Sequence, residues 1–329
     1  MTRLRLMTFN VENMLLRFEF DPETEASLAT LMDAEEPAAR AELVRTYWNI
    51  LNDEMRVMTA LALRDGRADV VCLQEVESMR GLRAFHDRYL RRMTELDYPH
   101  SILIEGNDGR HIDVAVMSRF PLERIVTHQA LRWDELQLDK PKIVEAARDR
   151  ILKRDCLEVH VQAGEKALPI FVCHFKSMSP EREKTRPWRE AEATAVRRIV
   201  EKRFADPAAA DWVVAGDLND YNEVDGEPDP YHALAPLLDG GFAVDIVKRI
   251  ADAKDRWTHF YPEARAYRQL DYVLLSPALA RKNKEAIPAI LRPGLPYRAE
   301  RYQGPRYPRI GWDRPKASDH CPVVVDLRF

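Results

Sequence analysis

The sequence predicts a single α/β domain in which two β-sheets pack together with helices on their outer faces. Three observations support this fold class. Short runs of β-branched residues recur from one end of the chain to the other, and helical or loop stretches separate them. No internal repeat or low-complexity linker divides the chain. With 329 residues, 46% of them hydrophobic and 32% charged, the chain can fill one large core.

The strand predictions rest on apolar runs that are bounded by polar or turn residues. The clearest runs are Arg5–Val11, Asp69–Gln74, Ile112–Ser118, Cys156–Val161, Pro169–His174, Trp212–Ala215, Asp271–Leu275 and Pro322–Leu327. Several of them end in a cluster of polar side chains. A functional site built on strand ends would lie there.

Two stretches have the periodicity of amphipathic helices. The first runs from about Ala41 to Leu63 and is expected to stop at Gly66. The second runs from Arg186 to Phe204. Both are predicted to cover the outer faces of the sheets.

Charge is unevenly distributed, although the formal net charge is only −4. Glu19–Glu36 carries seven acids and no Lys or Arg, and we predict a solvated insertion there, the acidic insertion. Arg281–Lys316 carries ten Lys or Arg against three acids and is rich in Pro and Gly, so it is predicted to be a long loop, the basic–aromatic loop. Its arginines alternate with aromatic residues: Tyr297, Arg298, Arg301, Tyr302, Arg306, Tyr307, Arg309 and Trp312.

Several classes of protein are disfavoured by composition. No secretory signal is visible, and no apolar run approaches the roughly 20 residues of a membrane span, so membrane insertion is not expected. The four cysteines form no C-x-x-C pair, and each lies in or beside an apolar run. Reduced, buried thiols in a cytoplasmic protein fit this pattern better than zinc binding or disulfides.

Six polar clusters lie at predicted strand ends. They are Asn10-Val11-Glu12, Gln74-Glu75, His174-Phe175-Lys176, Asp217-Leu218-Asn219, Leu270-Asp271 and Ser318-Asp319-His320. Each cluster alone is more often a turn or a cap than a site. Six of them at strand ends are poorly explained as independent turns, so we expect them to form one site.

The residue types in these clusters suit the hydrolysis of phosphate esters. Carboxylates such as Glu12, Glu75 and Asp319 are hard oxygen ligands for Mg²⁺ or Mn²⁺, which polarises a phosphoryl oxygen. The neutral donors Asn10, Asn219 and His174 can stabilise the phosphoryl oxygens without adding charge. Asp271 can orient His320 and stabilise its protonated form.

The ordered set Asn10-Val11-Glu12, Gln74-Glu75, Gly216-Asp217-Leu218-Asn219, Leu270-Asp271-Tyr272 and Ser318-Asp319-His320-Cys321-Pro322 resembles the motifs of the endonuclease/exonuclease/phosphatase superfamily. The resemblance spans almost the whole chain. It implies a four-layer α/β sandwich, with the site at one end of two facing sheets. It also implies a hydrolase that acts on phosphate esters and depends on Mg²⁺ or Mn²⁺.

The resemblance assigns roles residue by residue. Glu75 becomes the central metal ligand, with Asp319 and Glu12, where many members have Asp. Asp217 activates water, Asn10 and Asn219 orient it and the phosphate, His320 contacts the phosphate, Asp271 supports His320, and His174 lies near the scissile phosphate. Lys176 is expected to point the same way as His174 if the strand continues that far. Arg110 or His111 would reach the substrate, against the alternative of a plain loop.

The substrate depends on the loops around the site. The basic–aromatic loop leads into Asp319-His320, and arginines with stacking aromatics suit single-stranded or distorted nucleic acid. A nuclease that binds DNA or RNA through residues including Arg306 and Arg309 is the leading hypothesis. Two alternatives stay open: a phosphatase or phosphodiesterase for a small-molecule or lipid-headgroup ester, and a non-catalytic binding module. A separate alternative for the loop is that its arginines pair with the acidic insertion.

Overall fold

Two mixed six-stranded sheets form the centre of the computed structural model, which describes residues 2–14 and 54–329. The acidic insertion Glu19–Glu36 and the first part of the predicted helix Ala41–Leu63 lie outside the described residues. The first sheet has the strand order β15-β16-β1-β2-β4-β3, and the second has the order β11-β14-β8-β7-β6-β5. Strands β9 with β10, and β12 with β13, form separate two-stranded sheets.

The described strands are, in chain order, β1 (Arg3–Met14), β2 (Val70–Val76), β3 (His100–Leu103), β4 (Asp113–Ser118), β5 (Leu122–Val126), β6 (Cys156–Ala163), β7 (Lys166–His174), β8 (Val213–Asp217), β9 (Glu223–Val224), β10 (Glu227–Pro228), β11 (Val244–Asp245), β12 (His259–Tyr261), β13 (Ala266–Arg268), β14 (Asp271–Leu275), β15 (Ala289–Ile290) and β16 (Val323–Arg328). Two neighbouring pairs are parallel, β1 with β2 and β7 with β8, while the other neighbours in both sheets are antiparallel. All eight predicted strands are present.

Most of the described α-helices lie on the outer faces of the sheets, whereas the last of them packs through Leu279 and Ala280 against the core between the sheets. They are α1 (residues 54–66), α2 (Met79–Phe85), α3 (Arg91–Met93), α4 (Arg182–Arg203), α5 (Ala235–Leu238) and α6 (Pro277–Lys282). A π-helical turn, His86–Leu90, joins α2 to α3. No helix within 2–14 and 54–329 combines the length and the apolarity that crossing a membrane requires.

Three apolar layers hold the sandwich together, and strand periodicity explains them. In β1, Leu4 and Leu6 point into the core between the sheets, whereas Met7 and Phe9 point to the outer layer with α1 and α2. Successive side chains of a strand face opposite sides, so a central strand with both faces covered is apolar on both. The outer face of the second sheet packs against α4 in the same way, through residues such as Val196. The result is the predicted four-layer arrangement.

The two predicted helices are present with altered bounds. Helical residues 54–66 include the predicted stop at Gly66, and Arg67 follows with a φ of 46°. The predicted helix Arg186–Phe204 begins earlier, at Arg182. Arg182 is held there by ion pairs of 2.7 Å to Asp220 and 2.7 Å to Asp229, long-range contacts that local periodicity does not reveal.

Candidate active site

The polar strand ends meet at one end of the sandwich. Asn10 and Glu75 come from the parallel strands β1 and β2 of the first sheet. His174 and Asp217 are register partners at the ends of β7 and β8. Asp271, at the start of β14, is the register partner of Asp217 on the other side of β8. The remaining members follow or precede these strands: Asn219, Asp319 and His320. Neighbouring ends of β1, β2, β7, β8 and β14 thus collect residues that are up to 310 positions apart in the sequence.

Unusual backbone conformations aim two of these side chains. Glu75 has a φ of 67°, and the pairing of β2 with β4 shifts register at this residue. Such a bulge re-aims a side chain, and left-handed backbone at a residue other than glycine is typical of functional sites. Asn219 also has a positive φ, of 51°. At Gly216, with a φ of 145°, a Cβ would lie 1.9 Å from the carbonyl oxygen of Cys173, so only glycine lets β8 pack this closely on β7.

Asp217 lies at the centre of the site and is held by two asparagines. Its Oδ2 accepts hydrogen bonds from Asn10 Nδ2 at 3.0 Å and from Asn219 Nδ2 at 3.1 Å, and its Oδ1 accepts from the Asn219 backbone N–H at 2.9 Å. Burial raises the pKa of this carboxyl to about 7, against the opposing effect of His320. A carboxyl poised near neutral pH and fixed in one orientation is suited to accept a proton from water.

His320 and Asp271 form a buried dyad, as the sequence predicted for this pair. His320 Nδ1 lies 2.9 Å from Asp271 Oδ2, which also accepts a 2.7 Å hydrogen bond from Thr258 Oγ. Burial lowers the pKa of His320, but the negative charges of Asp271 and Asp217 raise it further, and the net shift is well above the ordinary value. The dyad therefore favours a protonated imidazole whose Nε2 faces Asp217 at 3.8 Å.

His174 presents a different histidine to the same carboxylates. Its Nε2 lies 3.6 Å from Asp217 Oδ2 and 3.9 Å from Glu75 Oε1. Burial and the nearby charge of Arg154 lower the pKa of His174 well below its ordinary value. The ring is therefore neutral, which is the form in which it can donate a hydrogen bond to a phosphoryl oxygen without adding charge.

Glu75 has the features expected of a carboxylate ligand for a hard cation. Its oxygens accept hydrogen bonds from Asn10 Nδ2 at 3.2 Å and from the Asn13 backbone N–H at 3.0 Å. Its Oε1 lies 3.9 Å from His174 Nε2. Mg²⁺ is usually held by one or two carboxylates together with waters and substrate oxygens, so this oriented carboxylate fits such an ion.

Glu12, one of the three predicted metal ligands, is engaged by cations of the basic–aromatic loop. Glu12 forms ion pairs with Lys316 at 2.9 Å and with Arg314 at 3.3 Å. Its Oε2 also accepts a hydrogen bond from the Asp319 backbone N–H at 3.1 Å. Two cations already neutralise this carboxylate, so its contacts tie the basic–aromatic loop to β1 and do not present a ligand to a metal.

Asp319 keeps its carboxylate toward the cleft. Burial alone would raise the pKa of Asp319, but His259, His320 and Lys316 together hold it well below its ordinary value, so the group is ionised. Within the described part of the chain, two groups of side chains bring three potential metal-binding atoms within 4.8 Å of one another. These are His259 with Asp319 and His320, and Asp217 with Asp271 and His320; Glu75 belongs to neither.

The predicted cationic residues beside the site differ in where they lie. The side chain of Arg110 is 59% exposed, bonds to Asp108 at 3.0 Å, and is close enough to His174 to lower its pKa. Lys176 does not continue β7, because the strand ends at His174. Its Nζ instead donates to the carbonyl oxygens of Ser177 at 2.9 Å and Ser179 at 2.6 Å. The condition under which Lys176 would point along with His174 is therefore not met.

The basic–aromatic loop uses many of its cations for its own fold. Arg306 donates from Nε to the carbonyl oxygen of Leu295 and from Nη2 to those of Ala299 and Tyr302, and it stacks on two tyrosine rings, so these two nitrogens are already used. Arg309 forms an ion pair with Glu54 and is 73% exposed. Further described pairs are Arg298 with Asp313, Arg301 with Asp225, and Arg314 and Lys316 with Glu12. The loop thus carries less free positive charge than its composition indicates.

Two residues that sequence reasoning overlooked lie directly at the site. Thr258 bonds Asp271, and the ring of His259 lies 4.4 Å from the ring of His320. Both belong to the short stretch Trp257-Thr258-His259, and its last residue is the first residue of β12. The only sequence signal was a histidine shortly before the Leu270-Asp271 motif, which is weak on its own.

Comparison with known proteins agrees with this geometry. A protein-family model described as "Endonuclease/Exonuclease/phosphatase family" matches residues 7–320. No curated protein sequence matches the chain.

Solved structures share the fold at low sequence identity. A truncated Caenorhabditis elegans TDP2 is 16% identical, with 99% of this chain and 98% of that chain covered and a TM-score of 0.55. SmcL is 18% identical, with 99% of each chain covered and a TM-score of 0.59. An endonuclease/exonuclease/phosphatase family protein from Bacteroides thetaiotaomicron is 14% identical, with 99% and 97% covered and a TM-score of 0.54. At these identities the likeness establishes the fold alone.

Proposed function

The chain belongs to the endonuclease/exonuclease/phosphatase family, and from this premise we propose that it is a divalent-metal-dependent phosphodiesterase whose substrate is a nucleic acid. One observation carries the proposal. Asp217, held by two asparagines, faces the Asp271–His320 dyad at 3.8 Å, beside the oriented carboxylate of Glu75. This arrangement places a proton acceptor (Asp217), a hydrogen-bond donor for a phosphoryl oxygen (His320) and a metal ligand (Glu75) around one small space.

The proposed roles follow from the contacts. Asn10 and Asn219 hold Asp217 so that it accepts a proton from the water that attacks phosphorus. Protonated His320 hydrogen-bonds a phosphoryl oxygen as negative charge develops there, and neutral His174 donates to another. The phosphorus–oxygen bond to the leaving group breaks as the bond to water oxygen forms.

A bound Mg²⁺ or Mn²⁺ would supply Lewis-acid polarisation of the phosphoryl oxygen and offset the charge of the leaving group. Glu75 is the residue proposed to hold it, with Asp319 as the second carboxylate. The hydrogen bonds from Asn10 and Asn13 orient Glu75 for that role, in the way that outer contacts orient ligating carboxylates.

Exposed aromatic rings beside the site support a nucleic-acid substrate. Tyr261 is 49% exposed at the end of β12, which begins with His259, and Trp312 is 57% exposed in the basic–aromatic loop. Arg298 bonds the carbonyl oxygen of Pro262 at 3.3 Å and thereby connects the loop to this hairpin. Stacking on such rings holds unpaired bases and tolerates many sequences.

Charge pairing in the loop favours single-stranded or distorted nucleic acid over long duplexes. A duplex binder gains affinity from many phosphate contacts and loses it steeply with salt. Here Arg301, Arg306 and Arg314 are engaged within the protein. We therefore propose that binding depends on stacking and on a few phosphate contacts, in which the exposed guanidinium groups of Arg110 and Arg309 exchange their ion pairs with Asp108 and Glu54 for phosphate oxygens. The same pairing supports the second candidate, a small-molecule or lipid-headgroup phosphate ester.

We also propose a cytoplasmic location, because the four cysteines are free and buried. Free thiols suit a reducing compartment, where stable disulfides are rare.

Turnover of bis(p-nitrophenyl) phosphate with Mg²⁺ and with Mn²⁺ tests the activity. Wild type is expected to turn over only with a divalent cation, and Glu75→Gln should lose at least about 100-fold in turnover. Absence of turnover with every divalent metal tried would refute the enzyme proposal. Unchanged turnover in Glu75→Gln would refute the metal assignment.

Substrate class is tested by comparing cleavage of single-stranded DNA, duplex DNA, abasic-site DNA, RNA, phosphoinositides and sphingomyelin under one set of conditions. Preference for a single-stranded or distorted nucleic acid, weakened by Trp312→Ala, is the expected outcome. Cleavage confined to small or lipid esters would replace it with the second candidate. Arg306→Ala serves as a control for loop folding, because its donors bond three backbone carbonyls.

A further inference from the structure

A histidine outside the proposed catalytic set completes a second cluster of metal-binding atoms. His259 Nε2 lies 3.8 Å from Asp319 Oδ2, and His320 Nε2 lies 4.0 Å from Asp319 Oδ1. One potential ligand atom of each residue lies within 4.8 Å of the others. Bonds of about 2.0–2.2 Å in a tetrahedral site separate ligand atoms by about 3.4 Å, so closing on an ion needs only small movements of these side chains.

Backbone pairing holds the three residues in this arrangement. His259 and His320 face each other in an antiparallel bridge. The Phe260 N–H donates to the carbonyl oxygen of Asp319 at 3.0 Å, and the Cys321 N–H donates to that of Thr258 at 2.6 Å. The cluster is therefore built on paired backbone, which fixes the directions of its side chains better than a free loop would.

We propose that His259, Asp319 and His320 form a binding site for a borderline transition-metal ion of the Zn²⁺ class, which shares Asp319 with the proposed Mg²⁺ site but does not use Glu75. Two imidazoles and one carboxylate are a ligand set that zinc adopts in proteins, with the fourth position open to solvent or substrate. Mg²⁺ prefers oxygen ligands alone, so this nitrogen-rich set selects the softer ion. The side chains of His259 and Asp319 are 12% and 26% exposed, which leaves a route for the ion from the cleft.

The contacts around His320 match those of a metal-bound histidine. Its Nδ1 donates to Asp271 Oδ2 at 2.9 Å, and this leaves Nε2 for the ion. Histidines that bind metals usually donate their other ring N–H to a carboxylate or carbonyl, and this contact orients the ring. The ion takes the place of the proton on Nε2, while the proton on Nδ1 stays in the bond to Asp271.

The second described group, Asp217 with Asp271 and His320, is a weaker candidate for the same ion. Asp217 is already bonded by Asn10 and Asn219, and the Oδ2 of Asp271 is taken by His320 and Thr258. Asp271 is fully buried, so this group offers no open fourth position.

Binding of Zn²⁺ and Co²⁺ to the purified full chain, in buffer without Mg²⁺, tests the site directly. Calorimetry is expected to detect one Zn²⁺ per chain, and Co²⁺ should give the visible bands of a four-coordinate site. His259→Phe keeps a ring that packs on His320 but removes its nitrogen, and it should weaken Zn²⁺ binding at least 10-fold. His259→Asn, a smaller replacement, provides the same test should the Phe variant fold poorly.

Two controls separate this site from others. His100→Ala removes a histidine whose ring has no hydrogen bond or ion pair in the described chain, and its Zn²⁺ affinity should equal that of wild type. Glu75→Gln should also keep the zinc site. Equal Zn²⁺ affinity in wild type and in the folded His259 variants, or loss of Zn²⁺ binding in Glu75→Gln, would overturn the assignment.

Inhibition provides a second readout, which rests on the proposed function. Zn²⁺ on His320 Nε2 displaces the group proposed to contact the phosphate, so micromolar Zn²⁺ should inhibit Mg²⁺-supported turnover of bis(p-nitrophenyl) phosphate. The concentration for half inhibition should rise at least 10-fold in His259→Phe, relative to the activity of that variant without Zn²⁺. Tight Zn²⁺ binding without any turnover would refute the proposed function and leave the zinc site standing. Turnover inhibited equally in both proteins would refute the role of His259.

Discussion

Replacing Asp271 by asparagine tests the dyad at the centre of the proposed reaction. The amide oxygen of Asn can still accept the hydrogen bond from His320 Nδ1, which now measures 2.9 Å, so the main change is the loss of one buried negative charge. The carboxylate and imidazolium charges are spread over several atoms and are about 4 Å apart on average. At an effective dielectric constant of about 20, unit charges at that separation attract by about 4 kcal/mol.

That energy predicts the size of the effect on turnover. If the imidazolium is needed in the transition state, about 4 kcal/mol corresponds to a decrease of about 10³-fold in kcat. KM should change by only a few-fold, because the lost interaction is strongest when negative charge develops on the phosphoryl oxygens. Steady-state kinetics with bis(p-nitrophenyl) phosphate and saturating Mg²⁺ measure both constants.

Thr258→Ser is the matched control for this experiment. Serine keeps the hydroxyl that bonds Asp271 Oδ2 at 2.7 Å, so kcat should remain within about threefold of wild type. A folded Asp271→Asn protein with a kcat within threefold of wild type would refute the reasoning. A rise in KM with unchanged kcat would mean that the dyad binds the ground state and does not act in the chemical step.

Three further substitutions test the structure behind the site. Gly216→Ala should lower the free energy of unfolding in urea by more than about 3 kcal/mol, because its Cβ would lie 1.9 Å from the Cys173 carbonyl oxygen; an unchanged midpoint would contradict this packing. Glu158→Gln breaks the 2.6 Å ion pair with Arg203 and should cost about 2–3 kcal/mol of stability. This is less than for a fully buried pair, because the Arg203 side chain is 23% exposed. A cost below about 0.5 kcal/mol would mean that solvent screens the ion pair. Burial raises the pKa of Glu192 from 4.5 to about 7, so the native protein holds this proton more tightly than the unfolded chain does. The contribution of Glu192 to stability should therefore be fully present below about pH 4.5 and be lost as pH rises through about 7. Glu192→Gln should remove about 3 kcal/mol of that loss, and identical pH profiles of unfolding for the two proteins would argue against it.

Much of the fold was predictable because strand and helix patterns are local. Runs such as Val323-Val324-Val325 are apolar whatever surrounds them, and all eight predicted strands are present. The short elements that were not predicted, such as α2 (Met79–Phe85) and β5 (Leu122–Val126), have weak periodicity or mixed exposure. Tertiary contacts select their conformation, so their own composition indicates it poorly.

Local patterns also predicted part of the candidate site, namely which polar residues lie at the strand ends. Polar residues at strand ends indicated that Asp217, Asp271 and His320 meet, and the structure brings them together. The bulge that turns Glu75 inward, and the approach of His259 to His320, depend on how separate elements pair, and no local pattern carries that information.

Charge is where the amino-acid order and the folded chain differ most. The order of residues establishes that Arg281–Lys316 is strongly basic and that Glu12 lies beside the Asn10 motif. Only folding decides that Glu12 pairs with Lys316, which lies 304 positions away in the sequence. Only folding decides, too, that Arg306 donates to backbone carbonyls of its own loop. Local side-chain patterns depend on near neighbours in the chain, whereas ion pairs act over a few ångströms in space. The residue types at the candidate site were therefore predictable from the sequence, whereas the partner of each charged side chain was decided by the tertiary structure alone.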